Sequence, residues 1–206
     1  MDWTFYINAF VALFVVIDPI GMVPIFIALT QGHPAQERLA IGRRSLLLAF
    51  LVLLLFGLLG EAVLGFVGIS FPAFRIAGGA LLFLTALDML FERRTARRDH
   101  TAEEYERTDP SVFPLAIPLL AGPGAITTMI LLVGQSETPL ELTGVFVVMA
   151  LVLLGCAILF RAAGGLERLL GRTGTVVATR LLGMLLAALS VQFMLDGLRG
   201  AGLMPG

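Results

Sequence analysis

Apolar residues run almost unbroken over six stretches of this chain, roughly 5–30, 43–66, 74–91, 112–134, 142–162 and 176–198. Each approaches or exceeds the roughly 20 residues that a helix needs to cross a bilayer. The pattern predicts an all-α, polytopic membrane protein with six transmembrane spans. The first run is preceded by "MDWT", without the basic segment of a signal peptide, and is longer than such a segment's apolar core, so it is read as the first span.

Two runs are interrupted near their centres. In "FVVIDPIGMVPIFI" an aspartate, a glycine and two prolines break the first, and "AGPGAITT" breaks the fourth, which already contains Pro114 and Pro118. Asp18-Pro19 and Gly122-Pro123 each set a capping residue directly before a proline, the order found at the Ncap and N1 positions of a helix. Spans one and four are therefore expected to be discontinuous, stopping near Ile17 and Ala121 and restarting at Pro19 and Pro123. Proline has no amide hydrogen and disfavours helical geometry in the residue before it, so carbonyls of the preceding turn lose partners. At membrane depth, such groups persist only where protein or a wet cavity covers them.

Composition agrees with a bilayer environment. Of 206 residues, 58% are hydrophobic and 14% charged, with a mean hydropathy of +0.95, more apolar surface than a soluble domain of this length buries. Cys156, the only cysteine, lies in the fifth run and reads as a packing residue, with no cysteine framework or metal cluster around it. The net charge of −1 hides an asymmetry, because all fourteen basic residues are arginine and eleven or twelve fall on alternate connections. Arg38, Arg43 and Arg44 follow span one, Arg93, Arg94, Arg97, Arg98 and Arg107 follow span three, and Arg161, Arg168 and Arg172 follow span five. The positive-inside rule then places these connections in the cytoplasm and both termini outside. Trp3 and Tyr6 suit the outer interfacial belt.

The polar segment "ERRTARRDHTAEEYERTDP" divides the chain into a three-span repeat at 1–92, a cytoplasmic linker at 93–111 and a second three-span repeat at 112–206. The halves echo each other in order: "DPIG" at 18–21 with "GPGA" at 122–125, Gly60 with Gly165, and "RIAGGALLFLT" at 75–85 with "RLLGMLLAALS" at 180–190. Three spans per half is odd, so the second half enters from the opposite side and the repeat is inverted. Secondary transporters are often built this way, with the site near the midplane among interrupted helices.

The restarted half-helices then run in opposite directions and present both positive ends to the midplane. Asp18 can cap its own helix, whereas Gly122 and Gly124 leave amides bare. The amides of Gly124 to Thr127 suit a substrate carboxylate, and Asp18 with the hydroxyls of Thr127 and Thr128 suits an ammonium group, so a small zwitterion fits. Plainer roles stand beside these: Asp18 as a structural cap, and Thr127 and Thr128 bonding back to their own helix. Thr85 and Ser190 read as interhelical packing residues. Arg75 and Arg180 are placed to snorkel, or in the case of Arg180 to neutralise a carboxylate on a neighbouring span. Asp88, Asp196 and Glu61 lie toward span ends, and Gln192 and Asn8 are candidate interhelical partners. No hydrolase, metalloprotease or phosphate-binding motif is present, so enzymatic activity is not expected.

At these same residues the sequence resembles the MarC-type family of six-span bacterial inner-membrane proteins, grouped with small neutral amino-acid transporters. The resemblance covers nearly the whole chain and rests on "NAFVALFVVIDPIGMVPIFIALT" (8–30), "RIAGGALLFLTALDML" (75–90), "PLAIPLLAGPGAITTMILL" (114–132) and "VQFMLDGL" (191–198). It implies transport of glycine, alanine or serine, with Asp18, Pro19, Gly21, Pro24, Gly122, Pro123, Gly124, Thr127 and Thr128 forming the site. A proton is the first coupling ion to consider, with Asp18 as its carrier, and sodium stays open. No cofactor, metal or nucleic acid is expected. Two rivals remain: an exporter of metal cations or another metabolite, using Asp18, Asp88 and Asp196 as ligands in the metal case, and a membrane scaffold or assembly factor.

Overall fold

The computed structural model describes residues 3–91 and 109–204, and every regular element among them is a helix. Helix α1 spans Trp3–Ile17 and α2 spans Pro19–Leu29, separated by Asp18 alone. Pro34 precedes α3 (Ala35–Val67), which ends on Gly68 in the left-handed region (φ 80°). There the Ile69 amide reaches back to the Leu64 carbonyl at 2.9 Å, a bond that closes helix ends where only glycine is relaxed. Helix α4 (Phe71–Leu90) starts from Ser70, whose hydroxyl accepts the Ala73 amide at 3.4 Å.

The second series is α5 (Ser111–Leu120), α6 (Pro123–Val133), α7 (Pro139–Arg161) and α8 (Ala163–Gly200), the last interrupted at Gly171 (φ 59°). Thr138 and Glu141 form a reciprocal capping box at the start of α7, through bonds of 3.2 and 3.3 Å. Most of the linker expected at 93–111 lies outside the described residues, and its last three residues open α5.

Five helical stretches are long and apolar enough to cross a membrane, or six if the bent pair α5–α6 counts as one span. Their bounds follow the apolar runs closely, except that α3 begins at Ala35, eight residues before its run. At 1.5 Å per residue its 33 residues extend about 50 Å, well beyond a hydrocarbon core of roughly 30 Å, so its arginine-bearing end projects or the helix tilts.

Burial sorts the helices. In Trp3–Leu29 67% of the apolar window is buried, against 28–33% in α3, α4, α7 and Thr173–Gly200. Helix α6 is buried at Ala125 and from Thr127 to Leu132. The two interrupted segments therefore contribute much of the interior, while Leu47, Leu51, Leu84, Leu154 and Leu181 on the continuous helices face outward, as lipid requires.

Helices α4 and α8 cross very closely, because small residues remove side chains from the contact. A methyl added at Gly79 would come within 2.7 Å of the Ser190 carbonyl, and one at Gly183 within 3.3 Å of the Ala86 carbonyl. Ser190, whose hydroxyl bonds back to Ala187 at 2.7 Å, is part of this seam. Trp3 is 70% exposed, whereas the Tyr6 ring packs across Gly144 of α7. Cys156 is fully buried in α7.

A candidate substrate site at two helix breaks

At the first break the backbone turns through one left-handed residue, Asp18 (φ 56°, ψ 63°). The ladder nearly survives. The Asp18 amide still bonds the Phe14 carbonyl at 3.0 Å, and the Asp18 carbonyl still accepts from Met22 at 3.0 Å. What changes is the amide of Gly21, which leaves the backbone ladder for Asp18 Oδ1 at 3.1 Å. Gly21 must be glycine for this approach, since a Cβ there would collide with the Asp18 carboxylate. The stretch "DPIG" thus reads as one device, a carboxylate cap, a proline without an amide to satisfy, and a glycine that admits the cap.

Asp18 has no exposed surface. Its other oxygen, Oδ2, lies 3.5 Å from the hydroxyl of Thr179, a buried residue of α8. Sequence reasoning overlooked Thr179. The available signal was a hydroxyl one residue before Arg180 in an otherwise apolar helix, which does not by itself indicate a facing carboxylate.

The second break is wider. Helix α5 carries extended residues at Phe113 and Ile117, each followed by a cis-proline, and its last turn is loose enough that the Ala121 amide bonds Ala116. The chain bends by 54° between α5 and α6. Gly122 is extended (φ −82°, ψ 171°) and has no room for a side chain, because a Cβ would strike the Pro118 carbonyl oxygen. Pro123 takes the first helical position, and no side chain caps α6. Of the amides expected to be bare from Gly124 to Thr127, that of Ile126 bonds the Gly122 carbonyl at 3.0 Å and that of Thr127 falls inside the helical ladder, so the positive end of α6 offers the amides of Gly124 and Ala125 to whatever approaches it.

The two breaks are neighbours. A Cβ at Gly124 would lie 3.2 Å from Val16, two residues before Asp18, and 3.8 Å from the Thr85 hydroxyl of α4. Thr128 donates to the Gly124 carbonyl at 2.8 Å, the back-bonding role. Thr127 is buried, and its methyl packs on Gly78 of α4; its hydroxyl makes no hydrogen bond with a described residue. Around the site the side chains are small: Gly21, Gly78, Gly124 and Ala125. Pro19 is buried, whereas Pro123 is exposed.

Two rings of α2 and α7 lie beyond this site. Phe26 and Phe160 stack with centroids 4.3 Å apart and planes 4° from parallel. Gly42 of α3 makes room for both, since a Cβ there would stand 3.3 Å from Phe26 and 3.5 Å from Phe160. Thr30 donates to the Phe26 carbonyl at 2.6 Å and accepts from Arg38 at 3.1 Å, which ties the end of α2 to the start of α3. Both rings line a cavity of about 310 Å³ that also has Arg38 and Arg161 in its wall.

Several other polar residues are engaged away from the breaks. Asp196 accepts from Gln192 at 2.8 Å and from Arg199 at 3.3 Å at the end of α8. Arg75 lies over the Phe71 ring at 5.2 Å, its Nε buried without a hydrogen-bond partner. Thr85 bonds back to Leu81 at 3.0 Å. Among the described residues no three His, Cys, Asp or Glu side chains are grouped as metal ligands.

The chain matches the family model described as "MarC family integral membrane protein" over residues 3–202. It is 39% identical over 207 residues to the UPF0056 membrane protein MJ1677 of Methanocaldococcus jannaschii, covering 98% of this chain and 99% of that one. It is 37% identical to the UPF0056 membrane protein YhcE of Escherichia coli, covering 97% and 94%, and 35% identical to YvbG of Bacillus subtilis, covering 97% of each. No solved structure matches it. With a family model reaching from α1 into the turn after α8, and relatives aligned over nearly their whole length, the chain belongs to the MarC family of integral membrane proteins.

Proposed function

We propose that the protein is a secondary transporter of small neutral amino acids, working by alternating access, with a proton carried by Asp18 as the coupling ion. The observation that carries this reading is the meeting of Gly124, at the uncapped start of α6, with Val16, just before the buried carboxylate of Asp18. Bare amides and a carboxylate on adjoining backbone suit a zwitterion, whose carboxylate would sit at the start of α6 and whose ammonium would sit against Asp18 and the Thr127 hydroxyl. The glycines around them are closed over by Asp18, Thr127 and Val16, so a site here has room for no more than a hydrogen, methyl or hydroxymethyl side chain.

The architecture supports the reading through its two parallel series of helices. Helices α2 and α6 have eleven residues each, both begin with proline and both follow an interrupted segment. Helices α4 and α8, the last members of each series, cross through Gly79–Ser190 and Gly183–Ala86, a nearly reciprocal exchange under the alignment of Gly78 with Gly183 and Thr85 with Ser190. An inverted repeat with discontinuous first and fourth spans accounts for both features. Arg38, Arg43 and Arg44 at one end of α3 and Arg161 at the end of α7 support a cytoplasmic position for those ends, with both termini outside. The protein would then reside in the cytoplasmic membrane, with the Phe26–Phe160 pair closing the cytoplasmic route to Asp18.

Counterflow of labelled alanine into proteoliposomes preloaded with unlabelled alanine tests the proposal, alongside thermal stabilisation of the purified protein by glycine, alanine and serine. Accumulation that depends on internal alanine supports transport. Neither counterflow nor stabilisation by any of the three overturns it, and stabilisation by divalent metal alone favours the cation-exporter alternative.

A further inference from the structure

A groove of about 680 Å³ runs between α3 and α7, within the roughly 300–1,000 Å³ of ordinary ligand sites. Its wall on α3 extends from Gln36 past Arg43 to Phe50, and on α7 from Arg161 to Ala150. Below its arginines the groove extends about 10 Å along α3, from Arg43 to Phe50, and about 16 Å along α7, from Arg161 to Ala150, at 1.5 Å per residue, which is comparable to one leaflet, about half of a roughly 30 Å hydrocarbon core.

The chemistry of the groove is segregated along its length. The deep part is leucine and phenylalanine, including Leu47 and Leu154, which are 58% and 55% exposed. Gln36 and Arg161 lie at the other end, and Arg43 stands where the apolar run of α3 begins. Arg43 and Arg161 are both exposed, and neither takes part in a hydrogen bond or ion pair with a described residue. Glu37, in the first turn of α3, is already engaged by His33 at 3.2 Å. Two unengaged guanidinium forks above an apolar channel match a phosphate followed by a hydrocarbon chain, since arginine binds phosphate oxygens in pairs and basic pockets between spans select anionic headgroups.

We propose that this groove binds an anionic diacyl phospholipid of the leaflet on the arginine-rich side, its phosphate held by Arg43 and Arg161 and one acyl chain lying along α3 and α7. The groove contains no residue of the two helix breaks, although Phe26 and Phe160 form part of its wall, and lipid binding is read without reference to what the protein transports.

The full chain, purified in a neutral detergent, is titrated with dioleoylphosphatidylglycerol, dioleoylphosphatidylcholine and glycerol phosphate, and binding is followed by native mass spectrometry and by thermal unfolding. Phosphatidylglycerol is expected to bind and to raise the unfolding temperature more than phosphatidylcholine, with glycerol phosphate inactive. Arg43→Gln and Arg161→Gln are each expected to weaken phosphatidylglycerol roughly five-fold and to leave phosphatidylcholine unchanged. Both side chains are exposed, so the variants should fold. Leu47→Trp, which fills the channel, should weaken both lipids. Equal binding of the two lipids, a preference that survives both arginine substitutions, glycerol phosphate matching the lipid, or a dimer that forms without lipid and occludes the groove would each overturn the proposal.

Discussion

The Gly21 amide donates to the Asp18 carboxylate at 3.1 Å, and a methyl on Gly21 would occupy the carboxylate's own position. This pairing separates two roles of Asp18. As a cap at φ 56°, the position accepts aspartate or asparagine far more readily than alanine, which pays about 1–2 kcal/mol for the left-handed conformation and loses about 1 kcal/mol of capping. Asp18→Asn should therefore unfold close to the native temperature, and Asp18→Ala well below it. If the carboxylate carries the coupling proton, Asp18→Asn should also abolish the pH dependence of alanine counterflow. Retention of that dependence would remove Asp18 from the coupling step while leaving the cap intact.

The two threonines of α6 should behave differently although they are adjacent. Thr128 already donates to the Gly124 carbonyl, whereas Thr127 has its methyl on Gly78 and a hydroxyl that bonds no described residue. Thr127→Val keeps the shape and removes the hydroxyl, so it should weaken alanine binding about ten-fold, the loss of one hydrogen bond to a charged group. Thr128→Val should change binding by less than about three-fold, since a back-bond of this kind adds little to a helix. Calorimetric titration of both variants checks the contrast, and equal effects would place the ammonium elsewhere.

Legibility of the fold and the site in the sequence differed by kind of residue. The helices end at Ile17 and Leu120 and start again at Pro19 and Pro123, at or beside the positions expected from sequence, because proline and its preceding residue act locally, through geometry that no distant contact alters. The character of each break was not legible in this way. Asp18 needs only one left-handed residue, while the second break spreads through all of α5, a difference that depends on packing around Phe113 and Ile117. Thr179, Phe26 and Phe160 were equally invisible, because a buried hydroxyl and two phenylalanines acquire their roles only from the side chains across from them.

The Phe26–Phe160 stack should act as a barrier. Phe26→Ala would open a path from the arginine-lined cavity toward Asp18 and leave Phe160 unsupported, at about 3–5 kcal/mol for an aromatic truncation in a packed interior. Phe26→Leu keeps most of the volume and serves as the folding control. The alanine variant should label faster at a cysteine introduced near Asp18 when a membrane-impermeant thiol reagent is applied from the arginine-rich side, measured in a Cys156→Ala background. Equal labelling in native, leucine and alanine backgrounds would place the barrier elsewhere.

The start of α5 carries a pH-dependent contribution to stability. Asp109 Oδ1 accepts from the Ser111 hydroxyl at 2.7 Å and from the Ser111 amide at 3.0 Å, and these bonds, with a smaller contribution from the Arg44 charge, hold its carboxyl below the usual carboxylate range against a slight opposing effect of burial. A carboxyl whose folded pKa is depressed binds fewer protons in the folded state than in the unfolded one, so its contribution is complete above the ordinary carboxylate pKa and disappears as pH falls through the folded value. Native protein and Asp109→Ala should therefore differ most in unfolding temperature near neutral pH, and the difference should close under acid conditions. The Ser111→Ala variant should show part of the same loss, because it keeps the amide donor and removes the hydroxyl. A gap between native and Asp109→Ala protein that stayed constant from neutral pH down through the carboxylate range would mean that Asp109 acts through shape rather than through its charge.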